Sequence, residues 1–248
     1  MTRSESKQAM LHDLGAVPVV ADALDPDQVA EAVGRARPDV IVHQLTAIPE
    51  TLDLRHFDHD FALTARLRTE GTDHLLSAGQ AVGVRRFVAQ SNGALPYART
   101  GAAVKSEEDP LDRAPAREIR ETVAAIRHLE EAVLGADWTE GIVLRYGMFY
   151  GPGTSLALGS AQTELVRKRK FPLVGDGGGV WSFIHIADAA ERRWRRSSTA
   201  AAVSTTSSTT TPPRSPSGCR RWLRSSAPRS QCAYRGSSGG CSPGRAPW

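Results

Sequence analysis

Three short apolar runs recur along the first 147 residues, and a long amphipathic stretch separates each run from the next. The runs are DVIVHQL (39–45), RRFVAQS (85–91) and GIVLRYG (141–147). Short runs of this kind, rich in β-branched and aliphatic residues, are typical of strands that are buried on both faces. The intervening stretches are long enough for crossover helices. The pattern therefore predicts an α/β fold with a parallel, right-handed, helix-covered sheet.

Local signals place the other elements of this fold. VPVVADAL (17–24) is predicted to be a short strand, followed by a helix that begins at Pro26 with Asp25 as its N-cap. Further helices are predicted over 57–83 and 115–135, and each of them ends at a glycine. The ligand of such a sheet is expected at the carboxyl ends of the strands.

Residues 148–190 break this rhythm and are predicted to form a small substrate-side segment. MFYGPGTSL resembles a Gly/Pro loop, SAQTELVRKRK a short basic helix, and the remainder a loop that leads into a strand and a helix start. GDGGG (175–179) lacks the Lys and the Ser/Thr of a Walker A turn, so we interpret it as a flexible loop. The basic run RKRK (167–170) is interpreted as a solvated face rather than an anion site.

Charge divides the chain into two unlike pieces. Residues 1–190 carry 20 Lys and Arg against 26 Asp and Glu, whereas residues 191–248 carry 11 Arg against Glu191 alone. The tail is rich in Ser, Thr, Arg, Gly and Pro, which predicts disorder. It is either an RNA-binding segment or an out-of-frame reading that begins near residue 191, and we favour the second interpretation because another frame can encode a helix–strand–helix string.

The cysteines and the N-terminus indicate the compartment. All three cysteines lie in the tail at spacings that fit no zinc site, so no metal is predicted. The first ten residues lack the apolar region of a secretory signal, and no run is long enough to span a membrane. We therefore expect a cytoplasmic protein that binds a small molecule and neither nucleic acid nor membrane; the sequence does not indicate its oligomeric state.

Three segments carry a resemblance to a known family: RTEGTDHLLSAGQAVGVRRFVAQS (68–91), LRYGMFYGPGT (144–154) and PLVGDGGGVWSFIHIADAA (172–190). In this order and spacing they resemble the extended short-chain dehydrogenases/reductases of the NAD-dependent epimerase/dehydratase kind. The resemblance implies an NAD(P)-binding, Rossmann-like doubly wound sheet over residues 1–147. It also implies oxidoreductase or epimerase chemistry on a small or sugar-like substrate.

The family's first strand and its GxxGxxG turn, which binds the pyrophosphate at a helix N-terminus, have no counterpart here. Gly15 is the only glycine before residue 34, and TRS (2–4) resembles the end of the family's second strand. The sheet is therefore expected to be incomplete, with VPVVADAL (17–24) lacking a partner and DVIVHQL (39–45) exposing an apolar edge. We interpret this as a start codon assigned too far downstream.

The resemblance assigns cofactor contacts to residues at the ends of strands. Asp22 would meet the adenine amine, although it could equally cap or turn the chain. Arg3 would meet a 2′-phosphate and so favours NADP over NAD, although a solvated arginine is an alternative. The remaining expected contacts are Leu45, Thr46, Ala47, Ser91, Tyr146 and Gly147. The alternative for each of these is a structural role, either in the exit from a strand or in core packing.

The family's proton donor is altered in this chain. The family uses Tyr-x-x-x-Lys on one helix, where the ammonium lowers the pKa of the phenol. Alignment on LEEAVLG puts Thr122 at the Tyr position and Ile126 at the Lys position, and no other Tyr-x-x-x-Lys occurs. Ser91 is the remaining candidate for the family's catalytic Ser/Thr. Thr122, at the Tyr position, is the second catalytic candidate.

Other groups could supply the missing acid, although structural roles are favoured for each. Tyr97 and Tyr150 are phenols that could replace the missing one. His185 and Asp188 fall at the strand-to-helix junction near the family's substrate pocket, where they could equally be an interior histidine and an N-cap. The remaining polar residues of the 115–135 helix are expected on its solvent face: Arg127, His128, Glu130 and Glu131.

Two functional classes, and a third possibility, follow from this sequence. The first is an NAD(P)-dependent oxidoreductase or epimerase of the extended family. The second is a non-catalytic NAD(P)-binding regulator that keeps the fold without the chemistry. The third is a truncated product with no function.

Overall fold

The computed structural model describes residues 1–49, 55–102, 104–171 and 181–198. The contacts divide the chain into two compact units. The described parts of the first unit fall within 1–91, 113–144 and 195–198, and those of the second within 92–112 and 145–194. No helix within the described ranges is long and apolar enough to cross a membrane.

Between residues 40 and 146, each strand is separated from the next by one or more helices. In chain order the elements are α1 (Gln8–Asp13), α2 (Pro26–Ala36), β1 (Val40–His43), α3 (Phe57–Asp60), α4 (Ala62–Arg68), α5 (Glu70–Val82), β2 (Arg86–Asn92), α6 (Arg120–Leu134) and β3 (Glu140–Tyr146). They are followed by β4 (Met148–Tyr150), α7 (Ala161–Arg167), β5 (Phe183–His185) and α8 (Ile186–Ser198).

The main sheet has the order β1-β2-β3. β1 pairs with β2 in parallel, with Val40 opposite Arg86 and His43 opposite Ala89. This parallel pairing, with a helix between successive strands, confirms the predicted α/β class. A strand that pairs in parallel with its predecessor requires such a crossover.

The core of the first unit lies between the sheet and its helices. α2 and α5 contribute Val29, Val33 and Leu75 to it, and α6 contributes Leu129 and Val133. Phe87 of β2 is completely buried. Because α2, α5 and α6 each direct one apolar face inward, they fix the sheet and therefore the position of its carboxyl edge.

Two strand predictions for the first unit are wrong in part, whereas the expectation that 17–24 lacks a partner strand is confirmed for the described residues. The stretch 17–24 forms a single bridge, between Thr2 and Val20, and Val17 is 88% exposed. A strand needs a neighbour along its length, and among the described residues Thr2 alone pairs with it. β1 was expected to be buried on both faces, yet Val42 is 39% exposed, so only one face of this strand is fully covered.

The predicted 57–83 helix is three helices with bends at Phe61 and Thr69. The ψ angles of these two residues, 4° and −84°, leave the helical range. The last of the three helices ends at Gly83 in the left-handed conformation, as predicted.

In the second unit, β4 and β5 pair in parallel, with Phe149 opposite Ile184. MFY (148–150), predicted to be part of a loop, is therefore a strand. The basic helix, the late strand and the helix start are present as α7, β5 and α8. The tail was predicted to be disordered from residue 191, and this is wrong for residues 191–198, which continue the amphipathic helix α8 to Ser198. The rest of the predicted disorder, over 199–248, and the predicted loop at GDGGG (175–179) lie outside the described residues.

Candidate functional site at the carboxyl edge of the first unit

Leu45, Thr46 and Ala47 leave β1 at its carboxyl end and are held there by hydrogen bonds. The Leu45 amide donates to Nδ1 of His43 at 3.3 Å, and the Ala47 amide donates to Oγ1 of Thr64 on α4 at 2.9 Å. Both side-chain acceptors are buried. The 45–47 backbone, which the family resemblance assigns to the cofactor, is therefore held by side chains of β1 and α4.

His43 is neutral, and its contacts define one tautomer. The Thr72 hydroxyl donates to the Arg68 carbonyl at 2.7 Å, so it accepts at the 3.0 Å contact with Nε2 of His43. Nε2 therefore carries the proton, and Nδ1 accepts from Leu45. Burial lowers the pKa of His43 to about 4, and the positive charge of Arg68 acts in the same direction.

Arg68 is a buried cation beside this histidine. It is 7% exposed, and burial lowers the pKa of its guanidinium to about 10. Within the described ranges its guanidinium makes no side-chain hydrogen bond or ion pair. Such a group is rare because burial of a charge without a partner is costly.

Ser91 lies at the end of β2 and contacts a carboxylate. Its hydroxyl donates to Oε1 of Glu130 at 2.5 Å, and both residues are 3% exposed. The expectation that Glu130 belongs to the solvent face of its helix is therefore wrong, although Glu131 is exposed as predicted. Because the single proton of Ser91 is used, its oxygen can only accept in any further hydrogen bond.

The strand register places the 45–47 segment and Ser91 at the same level of the sheet. His43 of β1 lies opposite Ala89 of β2. Two residues further along, Leu45 lies just beyond the end of β1 and Ser91 is the last residue but one of β2, so both lie at the carboxyl edge of the sheet. The structure thus brings together the expected contacts from β1 and β2.

Asp22 and Arg3 lie near the N-terminus of α2 and at the chain start. The Asp22 carboxylate accepts from the Leu24 amide at 3.0 Å, so this residue closes a local turn. The predicted N-cap is confirmed, since Asp25 accepts from the amides of Asp27 and Gln28. Arg3 is exposed.

Thr122 belongs to a cap at the start of α6. Its amide and its hydroxyl donate to Oδ1 of Asp58 at 2.9 and 2.7 Å, and the Glu121 amide donates to Oδ2 at 2.9 Å. Asp58 on α3 thus satisfies two amides at the helix start that lack partners within the helix. Ile126, one turn later, is completely buried in an apolar setting.

The second unit holds the other two expected cofactor contacts. The Tyr146 hydroxyl donates to the Ala189 carbonyl at 3.1 Å, and its ring is 2% exposed. Gly147 lies against the Ser182 backbone, where an added Cβ would be 2.5 Å from the Ser182 oxygen. Close backbone approach therefore accounts for glycine at this position.

The alternative acids in the second unit have other contacts. The Tyr97 hydroxyl accepts from Arg145 at 3.1 Å, and the Arg145 guanidinium also lies 5.2 Å from the Tyr97 ring centre. Tyr150 packs edge-on against His185 at 5.1 Å.

His185 also accepts from the Ala187 amide, so at the start of α8 the histidine ring takes the capping contact that was expected of Asp188. On α6, His128 contacts Asp73 at 2.8 Å with 42% of its side chain exposed.

Sequence reasoning missed four groups: His43, Asp58, Arg68 and Glu130. Each of them acts through a partner that is distant in the chain, such as Glu130 with Ser91. A polar residue inside an apolar run, as in VIVH, was the signal available for His43.

A parallel sheet with a helix between successive strands is the arrangement of the doubly wound α/β class, whose ligands bind at the carboxyl edge. The model of the NAD dependent epimerase/dehydratase family matches residues 1–203. The chain belongs to that family.

Relatives support this assignment. The chain is similar to a 3-diazoavenalumate denitrifying reductase from Streptomyces sp, with 45% identity over 193 residues that cover 75% of this chain and 62% of the relative. The chain thus spans about three fifths of the length of the curated relative it matches.

Solved structures share the fold. The UDP-glucuronic acid 4-epimerase from Bacillus cereus, in complex with UDP-glucuronic acid and NAD, gives a TM-score of 0.62 at 19% identity over 83% of this chain and 65% of that one. The Thermus thermophilus UDP-glucose 4-epimerase in complex with NAD gives 0.56 at 21% identity over 75% and 61%.

Proposed function

We propose that the chain binds NAD(P) at the carboxyl edge of β1 and β2. The fixed segment 45–47 leaves room for close approach at Ala47, and Ser91 presents an acceptor for an amide or a hydroxyl of the dinucleotide. The NAD in the related epimerase structures supports this choice of cofactor. Arg3, if it meets a 2′-phosphate, favours NADP.

The reaction we propose is the reduction of an aryl diazo compound. The reductase relative is named for a diazo substrate and for denitrification. A bound reduced nicotinamide supplies a hydride. An aryl diazonium cation that accepts a hydride forms one C–H bond at the ring, breaks its C–N bond and releases N2. Charge and atoms balance without a proton.

The observation that supports this proposal is the replacement of the family's proton donor in this chain. Reduction of a carbonyl produces an alkoxide that must be protonated, which is the work of the family's Tyr and Lys. Here Thr122 donates to Asp58, and Ile126 is buried among apolar groups. A cationic electrophile needs no such acid, so the replacements are compatible with a reductase of this kind.

A second candidate is a non-catalytic NAD(P)-binding regulator. The same replacements favour it, because a protein without a proton donor could retain binding alone. A sugar nucleotide, as bound by the related epimerases, is the alternative substrate class, and its chemistry would require an acid that the residues at 122 and 126 do not supply.

The test is consumption of NADPH or NADH by the full 248-residue chain with carboxybenzenediazonium as acceptor. We expect loss of the reduced-nicotinamide absorbance together with benzoate and N2 in equal amounts. Binding of NADPH without turnover would support the regulator instead. Turnover of a UDP-sugar would overturn the diazo assignment, and failure to bind either cofactor would overturn both candidates.

A further inference from the structure

We propose that Arg68 forms an anion subsite beside the end of β1, which accepts a carboxylate or phosphoryl oxygen. The subsite is the buried cluster of Arg68, His43, Thr64 and Thr72 on the face of α4 and α5 that meets β1. The evidence for the subsite is the set of contacts that these residues make. The identity of its natural ligand rests on the proposed function.

The first argument is that the described residues place no counter-charge in contact with Arg68. Thr64 and Thr72 are neutral, and the hydrogen bonds of His43 show it to be neutral as well. Burial is the cause of the lowered pKa of Arg68, with no carboxylate opposing it. A guanidinium with five donors and no anion in the described residues is expected to bind one.

The second argument is position. Thr64 lies one helical turn before Arg68 on α4, and its hydroxyl holds the Ala47 amide. Residues four apart share a face of a helix, so Arg68 faces the strand side one turn along. Arg68 is therefore one helical turn from the residue that holds the backbone assigned to the dinucleotide.

The third argument is that the neighbours of Arg68 are set for a positive charge. His43 is held in its neutral form, so it adds no second cation. Arg66, the other arginine of α4, is exposed and pairs with Glu70 at 2.8 Å. Arg68, at the buried position, has no such pair among the described residues.

Two sources supply the anion: the diphosphate of the cofactor, or a carboxylate of the substrate. Both give oxygens that match the guanidinium fork. The variants Arg68→Gln and Arg68→Lys distinguish charge from shape, and Arg35→Gln on α2, which removes an exposed pair with Glu31, is the matched control.

The primary measurement is the thermal unfolding midpoint of the full chain with inorganic diphosphate, with benzoate, and with sodium chloride at equal ionic strength. We expect at least one of the two anions, and not chloride, to raise the midpoint of the wild type, Arg68→Lys and Arg35→Gln. Arg68→Gln should lose this response. Its midpoint without ligand should equal or exceed that of the wild type, because a buried charge with no anion beside it in the described residues has been removed.

Three results of these unfolding measurements would overturn the proposed subsite. If neither anion raises the wild-type midpoint, or if Arg68→Gln responds as the wild type does, the subsite is wrong. A lowered midpoint of ligand-free Arg68→Gln with the anion response retained would also overturn it, since Arg68 would then have a structural partner. These outcomes do not depend on NADPH turnover, so they are separable from failure of the proposed function.

The source is decided by affinity. A tenfold to hundredfold weaker Kd for NADPH in Arg68→Gln, the usual cost of a charged hydrogen bond, assigns the subsite to the cofactor diphosphate. A tenfold to hundredfold higher KM of Arg68→Gln for carboxybenzenediazonium, with an unchanged KM for benzenediazonium, assigns the subsite to the substrate carboxylate. No change in either constant contradicts a ligand role for Arg68.

Discussion

The hydroxyl of Ser91 donates a 2.5 Å hydrogen bond to the carboxylate of Glu130, and both groups are buried at the end of β2. This short hydrogen bond uses the hydroxyl proton and leaves the oxygen with acceptor capacity only. This relationship makes Ser91 an acceptor, whereas the family resemblance alone suggested a catalytic hydroxyl.

We expect Ser91→Ala to lower the free energy of unfolding by about 1–3 kcal/mol, because Glu130 loses this buried donor. The Kd for NADPH should also rise. Urea unfolding and fluorescence titration measure the two effects. Ser77→Ala, at an exposed position on α5, is the control and should change neither. An unchanged stability for Ser91→Ala would argue against the bond.

Thr122 is expected to act in stability and not in turnover. Thr122→Val removes the hydroxyl that donates to Asp58 but keeps both capping amides, and should cost about 1–2 kcal/mol of unfolding free energy because one hydrogen bond to the carboxylate is lost. Turnover per folded molecule should be unchanged. Glu121→Gln, whose backbone contact to Asp58 persists, serves as the control. A tenfold loss of turnover at unchanged stability would instead assign Thr122 to catalysis.

Stability should fall between pH 6.5 and about 4 because of His43. Its folded pKa of about 4 lies below the ordinary 6.5, so in this window the unfolded chain binds the proton that the folded chain does not. Stability is therefore complete above pH 6.5 and decreases as the pH falls toward 4, by on the order of 3 kcal/mol.

Urea unfolding across this pH range measures the slope, and an NMR titration of His43 measures the pKa directly. His59→Asn removes a histidine whose side chain is 88% exposed and should keep the slope. A His43 resonance that titrates near pH 6.5 would contradict its neutral, buried state.

Two glycines should respond in opposite ways to alanine. Gly147→Ala brings a Cβ to 2.5 Å from the Ser182 oxygen, which also accepts from the Met148 amide, and should destabilise by about 1–3 kcal/mol. Gly34→Ala, in α2 with open space around its Cβ, should stabilise by about 0.5–1 kcal/mol. Thermal unfolding of both variants checks the pair, and equal effects would contradict the close approach at Gly147.

The sequence predicted the elements whose signals are local. The strands β1, β2 and β3, the Asp25 cap and the Gly83 helix end follow from apolar runs and terminal residues. The stretch 17–24 has a strand composition yet pairs only through Val20, because the formation of a strand depends on a neighbour and not on its own residues.

The candidate site was only half predictable. Ser91 and the 45–47 segment follow from their place at strand ends. The partners that define their chemistry, Glu130 and Thr64, come from other elements, and no local pattern marks them. Arg68 resembles any arginine of an amphipathic helix until packing shows that it is buried.

The most direct test of the proposed reductase follows the hydride. The full chain is incubated with carboxybenzenediazonium and with NADPH that carries deuterium at the reduced carbon of its nicotinamide, in ordinary water. We predict benzoate with deuterium on the ring carbon that bore the N2 group, and no label when unlabelled NADPH is used in heavy water. Benzoate labelled from the heavy water, or no benzoate above the level without protein, would contradict the account.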